Sequence, residues 1–137
     1  VVLDTSGLVK LFVDEAGSAD ARAVLGDAVM ICASRIAYAE ALASFGRRHR
    51  EGSLDDTALD TAIARIDAYW TSVGVIDVDE HAAGRLAIAH RLRGLDAIHL
   101  AAAVAMRDAA PEGSVRFVTF DRRQAEAATQ ERLVVAP

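Results

Sequence analysis

Cysteine is almost absent. The single Cys32 cannot close an internal disulfide and no basic-then-apolar leader opens the chain, so a reducing compartment, the cytoplasm, is the expected location. Aromatic residues are scarce, 7 in 137, whereas alanine occurs 29 times. That balance argues against an aromatic-rich β-sandwich and for close-packed helices with small contact residues. Only 2 prolines accompany 53% hydrophobic and 26% charged residues, which excludes intrinsic disorder and low-complexity linker sequence. No run of eighteen uncharged apolar residues occurs, so no membrane-spanning helix is predicted. A cationic excess is missing too: the formal net charge of -5 excludes indiscriminate coating of nucleic acid, though not a local site. A chain of 137 residues suits one core, and residues 1–137 are expected to form a single domain.

What is present alternates between short apolar runs and helical patterns. Val1-Val2-Leu3 reads as a buried strand ending at Asp4, and Ser6 with Gly7 turns the chain into a helix through Phe12. Residues 18–26 predict a short helix and 28–32 a second strand. Ser34 is placed to cap a long helix reaching His49, with Tyr38, Leu42 and Phe45 on its apolar face. Ser53 and Asp56 resemble a capping box for a helix running to about Trp70. Residues 75–78 predict a third strand, 80–93 a helix stopped by Gly94, and 96–109 an alanine-rich helix. A fourth strand over 115–120, a helix over 122–130 and an edge strand over 133–135 complete the chain. Strands separated by helices of this length imply a three-layer α/β fold, a mostly parallel central sheet of four to five strands with helices on both faces. Sites in such sheets form outside the carboxyl ends of the strands.

Four carboxylates stand where charge is otherwise sparse. Asp4 is the only charged side chain in the first nine residues, Glu40 the only one from Ile36 to Gly46, and Asp96 the only one between Arg93 and Arg107. Asp121 follows the fourth strand, with Gln124 three residues on. Each has a plain structural explanation: Asp4, Asp96 and Asp121 as helix caps, Asp121 with Gln124 as a capping box, and Glu40 as an exposed helix residue. Topology supports another. Asp4 and Asp121 lie at carboxyl ends of predicted strands, Asp96 begins a helix near the same rim, and a helix packed across that rim would add Glu40. Two carboxylates about 4 Å apart repel by roughly 4 kcal/mol at an effective dielectric near 20, so a converged set needs a cation. Oxygen donors without a Cys or His cluster select a hard ion such as Mg²⁺ or Mn²⁺ over zinc.

Four segments in order carry a family likeness: Asp4-Thr5-Ser6-Gly7-Leu8-Val9-Lys10-Leu11-Phe12, Tyr38-Ala39-Glu40-Ala41, Leu95-Asp96-Ala97-Ile98-His99-Leu100-Ala101 and Val118-Thr119-Phe120-Asp121. Together they resemble PIN-domain ribonucleases, most closely the VapC toxins of bacterial toxin-antitoxin pairs, across essentially the whole chain. The resemblance implies a PIN-like three-layer fold and Mg²⁺- or Mn²⁺-dependent hydrolysis of RNA leaving 5′-phosphate and 3′-hydroxyl ends. It places the acidic metal site on Asp4, Glu40, Asp96 and Asp121, with Ser6 and Thr119 at the small hydroxyl positions. It also implies a homodimer restrained by a cognate antitoxin. Two departures stand out: Gly7 replaces a frequent alanine, and Arg122-Arg123-Gln124 brings no second acid after Asp121.

The cations available to grip phosphate are Arg47, Arg48 and Arg50, Arg91 and Arg93, and Arg122 and Arg123. Arg122 and Arg123 are the preferred RNA contacts because they adjoin Asp121. His99, one helical turn beyond Asp96, is expected to bond a neighbour within the core, and Lys10 to be surface charge. A non-catalytic PIN-like interaction module, its acids serving as caps, is the alternative. A receiver-like phosphatase would need an acid where Ser6 stands and a late lysine, but Lys10 is the only lysine. An aspartic protease would need an all-β chain.

Overall fold

A computed structural model describes residues 1–136. The elements are β1 (Val2–Leu3), α1 (Thr5–Val9), α2 (Ser18–Leu25), β2 (Cys32–Ser34), α3 (Ala37–Arg50), α4 (Asp56–Trp70), β3 (Gly74–Ile76), α5 (Glu80–His90), α6 (Gly94–Ala109), β4 (Arg116–Val118), α7 (Arg122–Gln130) and β5 (Val134–Ala136). All strand pairs are parallel, in the order β3-β2-β1-β4-β5. The expected layered α/β architecture is therefore present, with a five-stranded sheet.

Successive strand residues point to opposite faces, and each face has its own core. Leu3, Ala33 and Val118 join Leu8, Phe45 and Ile66 beneath α1, α3 and α4. Val2, Cys32 and Phe117 join Leu100, Ala103 and Ala127 beneath α6 and α7. The alanines explain the close packing on the second side: Ala97, Ala101, Ala102 and Ala103 of α6 are all buried.

Several boundaries differ from the sequence pattern. The second strand is Cys32–Ser34 rather than 28–32, since register pairs Val2 with Cys32 and leaves Val29 and Met30 exposed in the preceding loop. Ser34 consequently lies inside the sheet, its hydroxyl unpartnered, and α3 begins after Ile36 without a side-chain cap. Asp55, not a Ser53–Asp56 box, caps α4 through the Ala58 amide. Gly94 opens α6 instead of ending α5, which stops at His90 because Arg91 adopts the left-handed conformation with φ 54°. No helix is long and apolar enough to cross a membrane among the described residues.

Candidate active site

The sheet's strand order reverses at β1 and β4, and the crevice outside their carboxyl ends is where an open parallel sheet places ligands. The Asp4 amide donates to the Val118 carbonyl at 3.1 Å, so the chain leaving β1 remains tied to β4. Asp4 is 1% exposed and caps α1, as expected, accepting from the Gly7 amide at 2.7 Å. Its oxygens also accept from Ser6 Oγ at 2.7 and 2.9 Å and from Thr119 Oγ1 at 2.6 Å. Gly7 permits this close approach, because a Cβ there would lie 3.0 Å from the Val118 carbonyl oxygen. Burial pushes the Asp4 carboxyl above its usual range, against the pull of Thr119, Gly7 and Ser6. Capping alone does not require a carboxyl so deeply desolvated.

Glu40 projects from α3 to the same place. Its Oε2 accepts from Thr5 Oγ1 at 2.5 Å and bonds His99 Nε2 at 2.6 Å. Thr5 stands on α1 and His99 on α6, so this contact bridges helices from the two outer layers. Burial alone would raise the Glu40 carboxyl, but the His99 and Thr5 hydrogen bonds outweigh it and the net shift is downward. Glu40 is thus an oriented, ionised group and not a solvated helix residue. His99, 2% exposed, does bond a neighbour in the core, but that neighbour is the candidate acid itself.

Asp96 lies inside the first turn of α6 and does not cap it; the cap position is Arg93, which makes no capping hydrogen bond. Arg93 folds back instead, donating from Nε to Asp96 Oδ2 at 2.8 Å and from Nη2 to Oδ1 at 3.4 Å. Asp96, with Asp121 and Glu40 adding to the field, holds the Arg93 guanidinium firmly charged. Asp121 caps α7 through the Arg123 and Gln124 amides at 2.8 and 3.1 Å. Only half of the expected capping box forms. The Asp121 amide donates to Thr119 Oγ1, and the Gln124 side chain turns to Asp96, its Nε2 3.3 Å from Oδ1.

Asp4, Glu40, Asp96 and Asp121 all line one open cleft of about 1050 Å³, together with Ser6, His99 and Gln124. They are not a ready-made ligand cage: among the described residues no three His, Cys, Asp or Glu side chains are grouped closely enough to hold a metal ion. The physical reason is that each acid is turned to a protein donor, and Arg93 and His99 supply counter-charge or hydrogen bonds in addition to any bound ion. The donor set still fits a hard divalent cation. It is rich in carboxylate oxygen, and Gln124, which lines the same cleft, carries a buried Oε1 acceptor with no partner.

The cleft's basic wall comes from Arg47, Arg48 and Arg50 at the end of α3. Arg122 stays outside it, on the exposed side of α7 near Glu126, and Arg123 lines a smaller hollow that shares Asp96 and Asp121. The cation clusters were visible in sequence, but that Arg47, Arg48 and Arg50 join Arg93 at the acids depends on the packing of α3 against α1. Lys10 is not surface charge: it is 9% exposed, bonds Glu15 and the Ala16 carbonyl at 2.7 Å each, and sits 4.6 Å from the Phe120 ring centroid. Thr5 and Gln124 join the site without a sequence signal for it. Thr5 adjoins Asp4, and the only sequence signal at Gln124 pointed to a cap.

Residues 1–130 match the family model for the PIN domain. Ribonuclease VapC45 of Mycobacterium tuberculosis is 37% identical over 112 residues, spanning 79% of this chain and 77% of the relative. Among solved structures, a toxin-antitoxin complex from Klebsiella pneumoniae aligns with a TM-score of 0.63 at 18% identity, covering 88% of this chain and 86% of that one. VapBC2 from Rickettsia felis, bound to a DNA fragment from their promoter, aligns with a TM-score of 0.64 at 14% identity, covering 98% and 95%. At those identities the two structures speak to the fold.

Proposed function

We propose, from the premise that this chain belongs to the PIN-domain family, that it is a divalent-metal-dependent endoribonuclease, the toxin of a toxin-antitoxin pair. The observation that carries this reading is the gathering of Asp4, Glu40, Asp96 and Asp121 around one cleft at the sheet's switch point, two of them reaching it from helices in opposite layers. Kinship with a protein named a ribonuclease supports RNA as substrate.

Asp4, Glu40, Asp96 and Asp121 would hold Mg²⁺ or Mn²⁺. Bound there, such an ion would supply an acidified water for in-line attack and offset charge on the phosphoryl oxygens. The chain's own groups prepare that chemistry. Ser6 and Thr119 hold both Asp4 oxygens in place, and Thr5 with His99 fixes the Glu40 rotamer, so little reorganisation is required when substrate binds. Arg47 and Arg50, which pair with no acid among the described residues, present positive charge along the cleft for the RNA backbone. Arg93 is 79% exposed and able to leave Asp96 for a phosphate.

A cognate antitoxin is the partner this reading assigns, consistent with a structural neighbour described as a toxin-antitoxin complex. A homodimer is proposed with it; exposed Ile88 on α5 and Leu95 on α6 offer apolar surface for a protein contact. Purified protein incubated with structured RNA should cleave it in Mg²⁺ or Mn²⁺ and stop in EDTA, leaving 5′-phosphate ends detectable by ligation. Undiminished cleavage in EDTA would refute the reading.

A further inference from the structure

Gln124 has an unusual hydrogen-bond balance. It is 3% exposed on the buried side of α7, its backbone amide donates to Asp121 Oδ1, and its side-chain Nε2 donates to Asp96 Oδ1. The amide is therefore oriented: exchanging its oxygen and nitrogen would set an oxygen against a carboxylate. In the orientation observed, Oε1 is buried and has no donor. A buried acceptor left unpaired costs free energy, and a leucine of similar volume would avoid that cost on a helix already packed through Ala127 and Ala128. The residue lines the acidic cleft and meets two of its four carboxylates, Asp96 through the side-chain Nε2 and Asp121 through the backbone amide.

We propose that Gln124 is a further cation-binding residue of this cleft, its Oε1 supplying a neutral oxygen beside the carboxylates of Asp96 and Asp121. The inference rests on the divalent-ion reading given above and adds a residue to it. A neutral donor suits this position. A fifth carboxylate would deepen the mutual repulsion of the acids in the metal-free protein, whereas an amide oxygen adds a hard donor without adding charge.

The test is Mn²⁺ binding to the full chain without RNA, measured by calorimetry or by loss of the free-ion electron spin resonance signal. Circular dichroism of each variant in EDTA establishes folding. Gln124→Leu is expected to bind Mn²⁺ at least about fivefold more weakly than the unmutated protein, about 1 kcal/mol, while its melting temperature in EDTA holds or rises. Gln124→Glu, which keeps an oxygen and loses the N–H donor, is expected to bind at least as tightly as the unmutated protein and to melt lower in EDTA. Unchanged affinity in Gln124→Leu would overturn the assignment. So would equal weakening in both variants, which would show that Gln124 acts only by holding Asp96. If Gln124→Leu fails to fold, weaker Mn²⁺ binding by Gln124→Glu than by the unmutated protein overturns the assignment. An unmutated protein that binds Mn²⁺ while Gln124→Leu matches it removes this proposal and leaves the nuclease reading intact; one that binds no Mn²⁺ removes both.

Discussion

Asp96→Asn is expected to lower RNA cleavage by roughly 10³-fold or more, equivalent to about 4 kcal/mol of transition-state stabilisation, while moving the melting temperature by no more than about 3 °C. The two effects separate because Asp96 does different things in each. Its structural partners are Arg93, 79% exposed, and a long contact to Gln124. Exposed ion pairs contribute about 0–1 kcal/mol, and asparagine keeps an acceptor for Arg93. Removing the charge also eases repulsion from Asp121 and Glu40, but Arg93 and His99 already offset part of that repulsion, so no large gain in stability follows. Initial rates on a labelled RNA, paired with thermal denaturation, check both halves. A variant that retains activity would remove Asp96 from the site.

Asp4→Ala is expected to fail in both respects. Truncation would leave the Ser6 hydroxyl, the Gly7 amide and the Thr119 hydroxyl without their common acceptor at the largely buried floor of the cleft. Unmet buried donors cost about 1–3 kcal/mol each and are not additive, so a loss of about 3–5 kcal/mol is expected, a fall of roughly 10–20 °C in melting temperature. Asp4→Asn should cost only about 1–2 kcal/mol. Its remaining carbonyl oxygen can still serve Gly7 and Ser6, and its amide can donate to Thr119 once that hydroxyl turns. Cleavage should be lost in both variants. Their contrast in denaturation, against their agreement in activity, distinguishes the structural work of this side chain from its charge.

The order of elements was legible because the apolar runs and turn residues are unambiguous, and the carboxyl-end rule then located Asp4 and Asp121 correctly. Local pattern misled where register decided the outcome. Residues 28–31 look like a strand by composition, yet pairing with Val2 begins at Cys32. Gly94 looks like a stop, yet the positive φ that ends α5 belongs to Arg91. In the site, the four acids could be seen from their isolation in uncharged segments. Their partners were legible only in part: Ser6 and Thr119 stood beside the acids in sequence and Arg93 lies three residues before Asp96, but Thr5, His99 and Gln124 meet their acids through the packing of α1, α3, α6 and α7, and spacing along one helix carries no information about a neighbour fifty-nine residues away, as His99 is from Glu40. Lys10 shows the same limit: its burial follows from Glu15 and Phe120, neither of which its own segment announces.

A crystal of the protein soaked in Mn²⁺, with diffraction recorded at the manganese absorption edge, tests most directly whether the acids serve a cation. An anomalous peak within the cleft, contacted by carboxylate oxygens from among Asp4, Glu40, Asp96 and Asp121, is the expected result. Manganese bound only elsewhere, or none at millimolar concentration with Arg93 still closed on Asp96, would contradict it.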